Sequence, residues 1–223
     1  MSPVHRETKD SIKVAHAVGG HGLIAVLRSA DTKYLLPVAE VLFEAGIRVF
    51  ELTLTTRGAV EMVKKLVDEF GAESIIGVGT VLDGRAAALS IEAGAQFLVT
   101  PSVSIEVIHV ALSERVAIYS GGLTPTEFFT SWQAGATAVK LFPASSVSPS
   151  YIRDVHGPFP DLQIVPTGGI AIDRIADWIG AGAAAVGIGS PLTGTSLRDG
   201  VDRQLLTRAR RAVEAVGVAR TVL

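Results

Sequence analysis

One short signature, repeated at regular intervals, limits what this chain can fold into. Ala-Gly followed by an apolar run occurs at Ala45-Gly46, Ala93-Gly94, Ala134-Gly135 and Ala181-Gly182, with intervals of 48, 41 and 47 residues. Glycine accepts the left-handed conformation that ends a helix, so each signature reads as a helix end leading into a strand. The interval is about two helix-plus-strand units, which marks an internal repeat. Apolar spacing fills in the rest. Strand-like runs cover 23–28, 47–54, 74–79, 96–100, 116–120, 137–142, 163–167 and 184–189. Helical spacing covers 33–45, 58–70, 84–93, 104–113, 125–134, 149–156, 171–180 and about 196–216. A polar-faced helix over 8–20, ending at Gly19-Gly20, precedes them all. No two strands are joined by a hairpin signal. Strict alternation predicts a parallel sheet, and eight units predict its closure into an α/β (β/α)8 TIM barrel with an extra N-terminal helix. With no linker or low-complexity segment, residues 1–223 are expected to form a single barrel domain, with 1–22 as the helix and lead-in.

Composition narrows the function. A net charge of -2 gives no basic surface for nucleic acid or an anionic membrane. No apolar run reaches the roughly 18 residues of a membrane span, and the first residues lack a signal-peptide core, so a cytoplasmic protein is expected. The absence of cysteine excludes disulfides and thiolate metal sites. His5, His16, His21, His109 and His156 are scattered, none at ligand spacing from another. Neither a metal nor a cofactor is expected.

Chemistry in such a barrel gathers at the C-terminal ends of the strands. The sixth run, Ala136-Thr-Ala-Val-Lys-Leu-Phe-Pro-Ala144, carries Lys140 in its middle, the only lysine after Lys65. An ammonium inside an apolar strand is costly, and a lysine held there as the free amine is a nucleophile. The alternatives are an edge lysine that snorkels to water, or one paired with a buried carboxylate. Glu51 shares a period-two face with Val49 and Thr53. Pointed inward, its carboxyl group would suit general acid/base work; otherwise it would form a structural pair with Lys140 or Arg28. The runs Thr167-Gly-Gly-Ile170 and Gly187-Ile-Gly-Ser190 follow the last two strands. They read as glycine-rich entries to helices, where backbone N–H groups attract phosphate, or else as tight turns alone.

Glu51, Gly77-Val-Gly-Thr-Val-Leu82, Thr100-Pro101, Lys140-Leu-Phe-Pro143 and Thr167-Gly-Gly-Ile170 occur in an order that resembles a known family. These are the class I aldolases acting on 2-keto-3-deoxy-6-phosphogluconate and 4-hydroxy-2-oxoglutarate. The resemblance runs from about Ile24 to Leu192. It implies that Lys140 is the Schiff-base lysine and Glu51 the general acid/base. Thr80 and Pro101 fall at pyruvate-pocket positions, Phe142 at a wall beside the imine, and Gly168, Gly169 and Ser190 at the phosphate site; Thr53, two residues after Glu51, is a further candidate substrate-binding residue. It further implies a 2-keto sugar acid as substrate, pyruvate as product, no cofactor, and a homotrimer. Two positions depart from the pattern. Thr55 stands where gluconate-type members often have an arginine for the pyruvate carboxylate, and Arg28 matches the arginine that galactonate-type relatives use instead. Arg57 is a second candidate for that task. Ser145 stands where many relatives have an acidic residue. A non-covalent phosphate-binding barrel enzyme and a metabolite sensor are the rival readings.

Overall fold

The computed structural model describes residues 9–221. Eight strands run β1 Leu23–Leu27, β2 Val49–Thr53, β3 Ile75–Gly79, β4 Phe97–Val99, β5 Ala117–Gly122, β6 Ala138–Leu141, β7 Ile164–Pro166 and β8 Val186–Ile188. All neighbouring pairs are parallel, in the order β7-β6-β5-β4-β3-β2-β1-β8. A bridge between Thr167 and Gly187, with the Ala184 N–H donated to Ile164 O at 2.9 Å, closes the seam between β7 and β8. The result is the (β/α)8 barrel that the alternation predicts. Helices α1 Lys9–His21, α2 Leu35–Glu44, α3 Ala59–Phe70, α4 Gly84–Glu92, α5 Ile105–Ser113, α6 Pro125–Gln133, α7 Ser150–His156 and α8 Ile175–Gly180 precede and separate the strands. Among the described residues no helix is long and apolar enough to cross a membrane.

The repeated Ala-Gly signature has one physical cause. Gly46, Gly94, Gly135 and Gly182 all have φ between 96° and 104°. Each donates its N–H back to the residue three before it, and the following residue donates to the residue five before it, as in Gly46 to Phe43 O (3.0 Å) and Ile47 to Leu42 O (3.1 Å). This is the Schellman closure, which satisfies carbonyls left open at a helix end. It recurs after α2, α4, α6 and α8 and aims the chain into β2, β4, β6 and β8. At the opposite helix ends Asp83 and Ser104 cap α4 and α5, and Thr124 with Glu127 forms a reciprocal capping box on α6.

Two apolar layers arise from the strand period of two. Leu27, Phe50, Leu52, Ile76, Leu98, Val139 and Leu141 face the helices. Ile24, Val49, Ile75, Phe97, Val99, Ala117, Tyr119, Ala138 and Val165 face inward, and Val14, Ala17 and Val18 of α1 cover their N-terminal end. The barrel interior is therefore apolar at one end. Continuing the alternation beyond Val49 and Ala138 puts Glu51 and Lys140 inward at the other end.

Two helix boundaries differ from the sequence expectation. The first helix runs through Gly19-Gly20 to His21, because the left-handed exit falls on Gly22, at φ 73°. The helix expected over 196–216 is instead two pieces, α10 Ser196–Asp199 and α11 Leu205–Thr221, with a further turn, α9 Ser190–Thr193, before them. Gly200 at φ 96° breaks it, and Gly194 at φ 56° separates α9 from α10. A side chain added at Gly194 would collide with the Arg208 guanidinium, so the break is built around that group. Arg208 holds Asp202 through Nη2 at 2.6 Å and Nη1 at 3.1 Å, and donates to Leu192 O (2.9 Å) and Thr193 O (3.2 Å). Ser196 donates to the same carboxylate at 2.7 Å. This clamp fixes the loop between β8 and α11 to α11 itself.

The hydrogen bonds from Arg208 and then from Ser196 hold the Asp202 carboxyl well below the usual carboxylate range. A carboxylate depressed in the folded state stabilises above its unfolded value, and that contribution is lost as pH falls through the folded one. Asp202→Asn is expected to cost about 1–2 kcal/mol near neutral pH, allowing for the pair's partial exposure. That corresponds to a Tm lower by about 2–8 °C for a chain of this size. The gap between wild type and variant should shrink below about pH 4. Calorimetry that found the same gap at pH 3 as at pH 7 would contradict the clamp.

Candidate active site

Lys140 and Glu51 meet inside the barrel at the C-terminal end of the strands. The lysine Nζ lies 3.5 Å from Glu51 Oε1, and the two side chains are 5% and 2% exposed. Neither charge would be tolerated there alone, because removing one partner of a buried pair typically costs about 3–5 kcal/mol. Space for the pair comes from small neighbours. Gly77 stands opposite Glu51 across β2 and β3, and Gly121 opposite Lys140 across β5 and β6. A side chain at Gly79 would fall on the Glu51 carboxylate itself. Lys140 Nζ also sits 5.3 Å from the centroid of the Phe142 ring, which is within reach of a cation–π contact.

Above the pair opens a cavity of about 630 Å³. Arg28, Lys140, Phe142, Gly168, Gly169 and Ser190, all singled out from the sequence, line it. Glu51 lies behind Lys140. Thr53 does not face the cavity. It is fully buried, and its hydroxyl is shared between Leu27 O at 3.4 Å and the Thr55 hydroxyl at 2.9 Å. Thr80 and Pro101 stand at the ends of the third and fourth strands, outside the cavity wall. Thr80 has a φ of 58°, a left-handed conformation that is unusual and strained for a β-branched residue. The Thr100 hydroxyl accepts from Gly121 N–H (3.0 Å) and donates to Ser102 O (2.7 Å), which pins the Pro101 turn against β5. Thr55 and Arg57 are exposed and absent from the wall; Ser145 is exposed beside Gly169.

Gly168 and Gly169 both have positive φ, at 97° and 75°. Among the described residues their N–H groups and that of Ser190 donate to no protein acceptor. Beyond Gly169 a 3-10 turn, Ile172–Arg174, runs directly into α8, and beyond Gly189 stands the four-residue α9. Gly168 and Gly169 stand ahead of that helical segment and α9 is a single turn, so this wall offers an anion open N–H groups.

Sequence reasoning missed Asp31, Lys33, Tyr34 and Arg198, which complete the outer rim. Asp31, Lys33 and Tyr34 lie in the loop after β1 and Arg198 in α10 after β8, with no motif around them, and only the position of those segments at strand ends pointed to them. The two loops are tied together by the Ser29 hydroxyl donating to Leu197 O at 2.8 Å. Arg28, Lys33 and Arg198 outnumber Asp31 on the wall. Asp199 offsets Arg198 through two hydrogen bonds of 2.9 Å. The balance favours an anionic ligand. No group of three or more His, Cys, Asp or Glu among the described residues could hold a metal ion.

A buried amine beside a buried carboxylate, under a cationic cavity with an N–H cradle, can form an imine with a ketone and move protons around it. Comparison with known proteins points the same way. Residues 14–208 match the family model described as KDPG and KHG aldolase. A 2-dehydro-3-deoxy-6-phosphogalactonate aldolase of Escherichia coli K12 is 34% identical over 171 residues, covering 76% of this chain and 83% of the relative. A 2-dehydro-3-deoxy-phosphogluconate aldolase of Pseudomonas aeruginosa is 35% identical over 158 residues, covering 70% of each. Among solved structures, the KDPG aldolase of Legionella pneumophila, with pyruvate captured at low pH as a covalent carbinolamine intermediate, superposes with a TM-score of 0.78. It is 25% identical, over 95% of this chain and 98% of that one. The chain belongs to the KDPG and KHG aldolase family, and its activity is that of an aldolase, a carbon–carbon lyase.

Proposed function

We propose that this aldolase cleaves 2-keto-3-deoxy-6-phosphogluconate, or a close 2-keto-3-deoxy sugar acid, to pyruvate and glyceraldehyde 3-phosphate through a Schiff base on Lys140. The observation that carries the reading is the Lys140–Glu51 pair, 3.5 Å apart at the base of a cationic cavity. Transfer of a proton from Lys140 to Glu51 frees the amine, which attacks the C2 ketone; Glu51 returns that proton to the carbinolamine hydroxyl, water leaves, and an iminium remains. Glu51 takes the proton of the C4 hydroxyl, the C3–C4 bond breaks, and the aldehyde departs. The bonding pair moves into the iminium, giving an enamine. Protonation at C3 and hydrolysis then release pyruvate and restore the lysine. Phe142 covers one side of the imine, and Gly168, Gly169 and Ser190 receive the phosphate. A homotrimer, which the family resemblance implies, remains part of the proposal.

Arg28 is assigned to the substrate carboxylate. It lines the cavity, whereas Thr55 and Arg57 do not, and its planar fork suits a bidentate bond. This is also the arrangement that the resemblance gives to galactonate-type relatives, so the C4 epimer, 2-keto-3-deoxy-6-phosphogalactonate, is the second substrate to supply.

Incubation with pyruvate and borohydride should leave a reduced carboxyethyl adduct on Lys140, located by peptide mass mapping. An unmodified Lys140 with pyruvate shown to bind would end the covalent mechanism and favour the non-covalent rival. Glu51→Gln should lower kcat by about 10²–10⁴-fold with a smaller effect on substrate binding; a near-normal rate in a folded variant removes Glu51 from the chemistry. Arg28→Ala should raise the pyruvate KM by about 10–100-fold, as expected for loss of a charged hydrogen bond. An unchanged KM would reassign the carboxylate to another group.

A further inference from the structure

The opposite end of the barrel holds a second cavity that the aldolase reading leaves unused. Its volume is about 320 Å³, and it lies between α1 and the N-terminal ends of β5 to β8. Val18, Ala138, Val165 and Ala185 give it an apolar, buried floor. Tyr119 of β5 also lines it, 3% exposed, its ring edge-on to Phe97 at 5.4 Å. Among the described residues the Tyr119 hydroxyl has no hydrogen-bond partner. The other polar groups nearby are engaged or at the rim. The Thr137 hydroxyl accepts from Ile118 N–H at 3.1 Å, the Gln163 amide donates to Asp161 O at 3.4 Å, and His16 is exposed.

The hydroxyl opens into the cavity and is not sealed among protein atoms, for among the described residues only Ser74 Oγ is both sealed and unpartnered; phenylalanine would fill the same space without a polar group to satisfy. A hydroxyl kept at this position calls for a partner. Water reaches the hydroxyl past the exposed His16, Asp161 and Gln163 at the rim, but the apolar floor gives it few further polar partners, so a ligand that brings its own acceptor and fills the floor can displace it. A charged ligand is disfavoured, since no buried counter-charge stands on the floor. The volume is about twice that of the ~150 Å³ cavity known to take up benzene, which suits one substituted ring.

We propose that this cavity is a second, non-catalytic binding site for a small neutral planar molecule whose hydrogen-bond acceptor meets the Tyr119 hydroxyl. Tyr119 precedes by two residues Gly121, the neighbour of Lys140 across β5 and β6. The occupant therefore sits beneath the reacting atoms without touching them, and the proposal does not depend on which sugar acid is cleaved.

Benzonitrile and phenylacetylene test it, because they share a shape and differ in whether the far atom accepts a hydrogen bond. A nitrile also forms no Schiff base with Lys140 under mild conditions, and its infrared band reports hydrogen bonding directly. Benzonitrile is expected to bind the wild-type protein about 2–10-fold more tightly than phenylacetylene, the range of a neutral hydrogen bond, with a shifted nitrile band. Tyr119→Phe should abolish the shift and equalise the two affinities, while Ala184→Leu, which fills the space, should weaken both. Failure of the wild-type protein to bind either probe at millimolar concentration would overturn the proposal. So would a band shift that survives in Tyr119→Phe, which would place the probe elsewhere.

Discussion

The buried pair of Lys140 and Glu51 is the constraint on which the rest depends. Two opposite charges 3.5 Å apart, each almost without solvent, are stable only if both arrive together. They come from strands 89 residues apart, so their meeting is a matter of sheet register. Lys140 stands opposite Gly121 on one side and Val165 on the other, and Glu51 opposite Val26 and Gly77. A slip of one residue in β6 would turn Val139 or Leu141 inward and drive the ammonium into the apolar layer beneath the helices. The Schellman closures before β2 and β6 set where those strands begin, and therefore which face their polar residues take.

The same inner face has to be empty where substrate and the reacting groups belong. Gly77, Gly79, Gly121 and Gly187 occupy inner positions at the C-terminal end, and a side chain at any of them would strike a neighbour. At the N-terminal end the corresponding positions hold Ile24, Val49, Ile75 and Phe97. Glycine in a strand gives up packing and costs conformational entropy. The division of the interior into a filled half and an open half concentrates that cost around the Lys140–Glu51 pair and leaves stability to the other half.

This division explains what was legible in the sequence. The eight-unit alternation, the Ala-Gly helix ends and the inward position of Lys140 and Glu51 all follow from local periodicity and turn chemistry, which a sequence displays directly. The loop between β8 and α11 does not. Its apolar spacing around Leu197 reads as continuous with that of α11, yet Gly194 and Gly200 bend it so that Arg208 can reach Asp202 and the Leu192 and Thr193 carbonyls. Lys33 and Arg198 were invisible for a similar reason. They share a rim because Ser29 and Leu197, 168 residues apart, are hydrogen-bonded. Thr53 shows the limit from the other side: the right face of the right strand, but a hydroxyl already engaged by Leu27 and Thr55.

The rim also bears on how such a site would recognise a phosphorylated substrate. After β8 stands a single α-helical turn, and after β7 the helical stretch begins only at Ile172, beyond both glycines, so the helix dipoles are either short or set back from this wall. In the proposed reading the phosphate is therefore met by individual N–H groups of Gly168, Gly169 and Ser190, whose directions are fixed by the two left-handed glycines. Arg28, Lys33 and Arg198 act at longer range and raise the local concentration of any anion, a contribution that salt screens within about 8–10 Å. Close N–H contacts inside the cavity are screened far less. In that reading attraction and selection are separated in space: the exposed cations draw an anion toward the cavity, and the backbone geometry beside Phe142 decides which one fits.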